Sequence, residues 1–184
     1  MNWRKKIALA ALCAVVSLPF AMTGCNTADS PDYATTLYEN RVEKIGNAPK
    51  DGALLELLKV NELGDYTFEL QTDSPPYSLT VHFAAKPDGE AQLNQAMKRN
   101  ACLLFALIDN LDDVRWTYPM GGKTVSNAYS FAQATARLGE PISEFGTSAK
   151  KVSSLLSRLE EPSSDNSDDT TTLYEGTVDL KETA

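Results

Sequence analysis

The sequence predicts an α+β fold: a small antiparallel sheet of about three strands packed against helices, with an N-terminal signal peptide before it and a disordered acidic C-terminal tail after it. Three observations predict this. Two neighbouring runs, 66–72 and 77–84, alternate apolar and polar residues. One long stretch, 90–111, repeats apolar residues at helical spacing, and the chain opens with a short cationic segment followed by an apolar one. The 184 residues, 42% of them hydrophobic and 23% charged, suit one globular unit with flanking segments. A core of that size can be stable without disulfides or metals.

The N-terminus comes first. Arg4, Lys5 and Lys6 precede Ile7–Val16, which is uninterrupted apolar and small residues, and Pro19 weakens any helix beyond it. That is the order of a secretory signal, and the apolar run is short of the roughly twenty residues a membrane span needs. Ala21-Met22-Thr23-Gly24-Cys25 follows and resembles a lipobox, the processing site of bacterial lipoproteins. Gly24 supplies the small residue before the cut, and Cys25 the thiol that takes the lipid. The resemblance implies a diacylglycerol thioether on Cys25 and cleavage before it, with chains such as palmitate holding the product in the membrane. The expected localisation is the cell membrane, lipid-anchored on the extracytoplasmic face. The expected organisation is a signal peptide over 1–24, a lipidated tether over 25–36, a globular domain over 37–160 and an acidic low-complexity tail over 161–184.

Within the domain, 49–60 reads as a helix. Asn47 can cap it, Pro49 suits its first turn, and Leu54, Leu55 and Leu58 share a face. Tyr66, Phe68 and Leu70 line one side of a strand over 66–72, and Leu79, Val81 and Phe83 one side of a strand over 77–84. Ser74-Pro75-Pro76 between them predicts an antiparallel pair across a turn. Leu93, Met97, Ala101, Leu104, Ile108 and Leu111 mark a helix over 90–111, and Leu103, Phe105 and Leu107 widen its apolar face until it must be buried. Asn100 and Asn110 flank that helix and are expected to satisfy backbone groups at loop junctions. Residues 114–118 read as a third strand, stopped by Pro119 and Gly121-Gly122. Helices over 126–138 and 148–159 complete the domain. Thr35-Thr36-Leu37-Tyr38-Glu39 recurs as Thr171-Thr172-Leu173-Tyr174-Glu175. Chance is the simpler explanation; pairing as edge strands or binding of one groove is the other.

Charge and composition exclude several functions. The formal net charge is −8, and loss of the leader removes three cations, so nucleic acid is not an expected partner. With the leader gone and Cys25 acylated, Cys102 is the one thiol left; it sits among apolar residues and reads as an inert core cysteine. His82 is the only histidine, so a zinc site is out of reach. Asp165, Asp168 and Asp169 lack the spacing and glycine of a calcium loop. No metal and no cofactor is expected. Gly121-Gly122-Lys123-Thr124 looks like the end of a phosphate loop, but Thr117 stands where its first glycine should be, and a turn with an exposed lysine is the simpler reading. No Gly-x-Ser-x-Gly elbow surrounds a serine. His82 could serve as a general base, although its strand position faces away from Leu79, Val81 and Phe83. Tyr66, Tyr77, Trp116 and Tyr118 could meet at strand ends and line a ligand or partner surface, although core and rim packing is the commoner role of such aromatics.

Taken together, Leu37-Tyr38, Gly46-Asn47, Pro76-Tyr77-Ser78-Leu79-Thr80-Val81 and the helix Asn100–Leu111 resemble the bacterial domain of unknown function 4825 family. The resemblance runs from about Leu37 to Leu159. It implies a stand-alone lipoprotein, or a module of the kind attached to membrane metallopeptidases that resemble beta-lactam sensor-transducers. It further implies an envelope protein or membrane sensor as partner. It carries over no catalytic residue, and the zinc-binding His-Glu-x-x-His helix is absent here. The expectation is therefore a membrane-anchored, extracytoplasmic, non-enzymatic binding or sensing module. The alternative is a cell-envelope hydrolase or accessory enzyme using His82.

Overall fold

The computed structural model describes residues 31–160. The leader, Cys25, the start of the tether, the acidic tail and the second Thr-Thr-Leu-Tyr-Glu copy lie outside the described residues. Five helices are assigned among them: α1 (Pro31–Glu39), α2 (Ala48–Leu57), α3 (Glu90–Leu107), α4 (Phe131–Leu138) and α5 (Ala149–Glu160). Short 3-10 helices cover Val60–Leu63 and Ile142–Thr147. The strands are β1 (Tyr66–Gln71), β2 (Ser78–Phe83), β3 (Asp113–Met120) and β4 (Lys123–Ser130).

Residues 31–36, expected in the tether, open a helix instead. Ala34 and Leu37 are spaced three apart and both are buried, which ties α1 to α5. The first Thr-Thr-Leu-Tyr-Glu copy is thus helical and does not pair as a strand. Asn47 caps α2, its side-chain oxygen accepting from the Lys50 amide at 3.2 Å. The helix ends through Lys59, which holds a φ of 58°. A left-handed backbone costs a side-chain-bearing residue about 1 kcal/mol, and glycine avoids that cost. Lys59→Gly should therefore raise the unfolding free energy by about 0.5–1 kcal/mol in urea titration, the exposed Lys59–Glu62 ion pair adding little against it.

The sheet has four strands in the order β1-β2-β3-β4, and it is mixed rather than antiparallel. β1–β2 and β3–β4 are antiparallel, whereas β2–β3 is parallel, with Val81 opposite Trp116. The reason is α3. A strand that leaves through a long helix and returns beside itself runs parallel to where it began. The fourth strand takes the first part of the segment expected as a helix over 126–138. Gly121 and Gly122, at φ 61° and 80°, form the two-residue turn between Met120 and Lys123. Two successive left-handed residues are what a tight hairpin needs. Only at Ser130 does the helix begin, in a capping box with Gln133.

Cross-strand register puts Tyr66, Phe68, Leu70, Leu79, Val81, Phe83, Val114, Trp116, Tyr118, Asn127 and Tyr129 on one face. α3 covers it, and Leu93, Met97 and every residue from Asn100 to Leu107 are buried. Each such large apolar side chain contributes about 1.5–3 kcal/mol by leaving water. The helix stops at Leu107, short of Leu111, because Ile108 turns extended and bridges to Val42. Asn100 lies buried within α3 and Asn110 half-buried beyond its end, and both hold backbone groups. The Asn110 carbonyl accepts from the Ile45 amide at 2.8 Å, and Asn100 donates to the Leu58 carbonyl at 3.4 Å.

Candidate functional site

The four aromatics do not form one surface. Trp116 and Tyr118 alternate inward on β3 and are 1% and 2% exposed, so both belong to the core. The Trp116 indole N–H is satisfied inside, donating to Asn94 Oδ1 on α3 at 2.8 Å. Tyr66 starts β1 opposite Phe83, with ring centroids 6.4 Å apart. Tyr77 lies before β2, at the other end of the β1–β2 pair, where its amide donates to the Asp112 carboxylate at 2.7 Å. Alternation with Val114 carries Trp116 and Tyr118 of β3 into the layer under α3, whichever way the strand runs.

Tyr66 does line a groove. With Thr67 and Phe68 of β1, Glu56 of α2 and Asn61 of the first 3-10 helix, it borders a cavity of about 580 Å³. β1 is an edge strand, and Tyr66, Phe68 and Leu70 on its inner face are only half-buried. An edge strand with a partly uncovered apolar row can take an extended peptide as a further strand. Burial, with the Glu56 carboxylate nearby, raises the Tyr66 hydroxyl above its ordinary pKa and keeps it a neutral donor. Phe68 is legible in the sequence as an inward residue of β1, whereas no sequence signal points to Asn61 in the 3-10 helix.

His82 lies on the opposite, polar face of the sheet. Its Nδ1 is 2.8 Å from Thr117 Oγ1 on β3, and its Nε2 is 3.6 Å from Glu69 Oε2 on β1. Register places Thr67, His82 and Thr117 side by side across three strands. Hydroxyl, imidazole and carboxylate therefore follow one another, but on an open surface where His82 is 39% and Glu69 76% exposed.

Two buried groups complete the chemistry. Cys102 is fully buried in α3, and loss of solvent pushes its thiol up to about 11. Asp51, in the first turn of α2, is also fully buried. Its Oδ2 accepts from the Gly46 amide at 3.0 Å, while Oδ1 has no partner. Burial raises its pKa, against the pull of the Gly46 and Asn47 amides. With the folded pKa above the unfolded one, the folded chain holds the proton longer, so stability falls as pH rises through that interval. Thermal melts of wild type and an Asp51 variant across the acid range isolate this contribution. Asp51→Asn should remove its share, so that the difference in melting temperature between variant and wild type moves in the variant's favour as pH rises. Among the described residues no three of His, Cys, Asp and Glu are grouped to hold a metal ion, and no helix is long and apolar enough to cross a membrane.

Comparison with known proteins gives one match. The family described as a domain of unknown function, DUF4825, matches residues 37–132, more than half of the chain. The matched span runs from Leu37 of α1 to the start of α4 and leaves out α5. No curated protein and no solved structure matches.

Proposed function

This chain belongs to the DUF4825 family of bacterial domains of unknown function, and from that premise we propose that it is a membrane-anchored, extracytoplasmic lipoprotein that binds an envelope protein and carries out no catalysis. The observation that carries the reading is Ala21-Met22-Thr23-Gly24-Cys25 directly after a cationic and apolar leader. The partner is a protein with an extended segment, taken along the β1 edge with one side chain in the groove beside Tyr66. The open edge and the half-buried apolar row of β1 support that choice.

Detergent phase separation of cells producing wild type and Cys25→Ala tests the anchor. Wild type should enter the detergent phase, and the variant, uncut and unacylated, should lose the lipid-dependent share. Equal partition of the two, with equal masses, would overturn the reading. A photoreactive side chain at Thr67 should then crosslink an envelope protein, and one at Ser74, beyond the far end of β1, should not.

A second reading rests on the line Thr117–His82–Glu69. It makes the protein an envelope hydrolase with His82 as base. Hydrolysis of envelope ester or amide substrates that disappears in His82→Ala, with folding intact, would establish it over the first.

A further inference from the structure

We infer that the face formed by the start of α1, the 3-10 helix Val60–Leu63 and the end of α5 rests on the lipid headgroups of the bilayer that holds Cys25. This rests on the anchored reading above and adds an orientation to it. Because α1 begins at Pro31, only six Cα steps separate it from Cys25. Fully extended, they span at most about 22 Å. The headgroup layer itself takes about 5–8 Å of that length. A domain of 130 residues has a radius of gyration of about 14 Å and is thus roughly 35 Å across. It cannot turn an arbitrary side to the membrane on so short a lead.

The residues around the start of α1 define which side faces down. The Tyr33 hydroxyl donates to the Leu57 carbonyl at the end of α2. Lys59, Glu62 and Arg99 are close enough to act on the Tyr33 hydroxyl electrostatically. Arg99 in turn lies 3.9 Å from Glu160, the last residue of α5. The start of α1 and the end of α5 therefore share one face. Tyr33, Leu57 and Leu63 are half-buried on it, and the exposed Lys59 stands beside them. A half-buried tyrosine ring, together with lysine and arginine at its rim, suits the boundary between water and headgroups.

The lipidated protein, reconstituted into phosphatidylcholine–phosphatidylglycerol vesicles containing a headgroup-attached quencher, tests this. A fluorophore goes on Glu62→Cys or on Ser74→Cys; Cys102 is buried and stays unlabelled. Glu62 follows Lys59 on the proposed face, and Ser74 lies past the opposite end of β1. Quenching at 62 should exceed that at 74 several-fold, and a long Gly/Ser insertion after Ala28 should bring the two together. Vesicle-bound protein with equal quenching at both sites would overturn the orientation while leaving the anchor standing. Failure to float with vesicles, and a mass without acyl chains, would remove the anchor and the orientation with it.

Discussion

Gly146→Ala should abolish cooperative folding or cost about 3 kcal/mol or more, the largest effect expected of any single methyl group in this domain. A Cβ on Gly146 would stand 1.7 Å from the Ala106 carbonyl oxygen and 2.8 Å from its carbon. Both atoms are backbone of the central helix, so no rotamer relieves the clash. The 3-10 helix Ile142–Thr147 would have to lift from α3, exposing Ile142 and Phe145, which are 0% and 4% exposed. Gly52 supplies the control. A Cβ there meets the Phe68 ring at 3.2 Å, and a ring at a sheet edge can shift. Gly52→Ala should cost far less, and in the helix interior it regains up to about 1 kcal/mol of propensity. Urea unfolding of both variants checks the contrast; a Gly146→Ala protein as stable as wild type would show that α3 and this 3-10 helix do not pack as described.

Trp116→Ala should cost about 3–5 kcal/mol, because it empties the largest fully buried side chain at the centre of the sheet. Part of that loss is polar. Asn94 Oδ1 would lose its indole donor in a half-buried position. Trp116→Phe separates the parts, keeping most of the volume and giving up the hydrogen bond, for about 1–2 kcal/mol. Were Trp116 part of an exposed ligand surface, the other role the sequence allows it, both substitutions would leave stability nearly unchanged and alter binding. Equilibrium unfolding of the two variants therefore separates core from surface at this residue.

Local signals in the sequence were read well where the residues enforcing them were neighbours. The cap at Asn47, the alternation of β1 and β2 and the apolar stripe of α3 each follow from residues within a few positions of one another. Asn100 is legible for a similar reason, since a buried amide must find a partner, and the half-buried Asn110 follows the same rule. What was missed depends on distance along the chain. β4 alternates Val125, Asn127 and Tyr129 inward, yet its buried asparagine and small outward residues resemble a helix start, and the turn expected at Gly121-Gly122 does not by itself announce a hairpin. The parallel pairing of β2 with β3 was implied by the strand–helix–strand order, but the sheet was taken as antiparallel throughout. Trp116 and Tyr118, which the sequence offers either as core or as a ligand surface, lie under α3 because they alternate inward with Val114. α1 went unread because its apolar content is small. Leu37 is buried by α5, more than a hundred residues later, and no local pattern reports such a contact.

Anchoring at Cys25 is the claim on which membrane placement, orientation and choice of partner all depend. Intact-mass spectrometry of the protein extracted from its native envelope tests it most directly. The account predicts a chain beginning at residue 25 and heavier than its sequence by a diacylglyceryl group, with or without a further acyl chain on the amine. A chain that still carries residues 1–24 and an unmodified Cys25 thiol would contradict it.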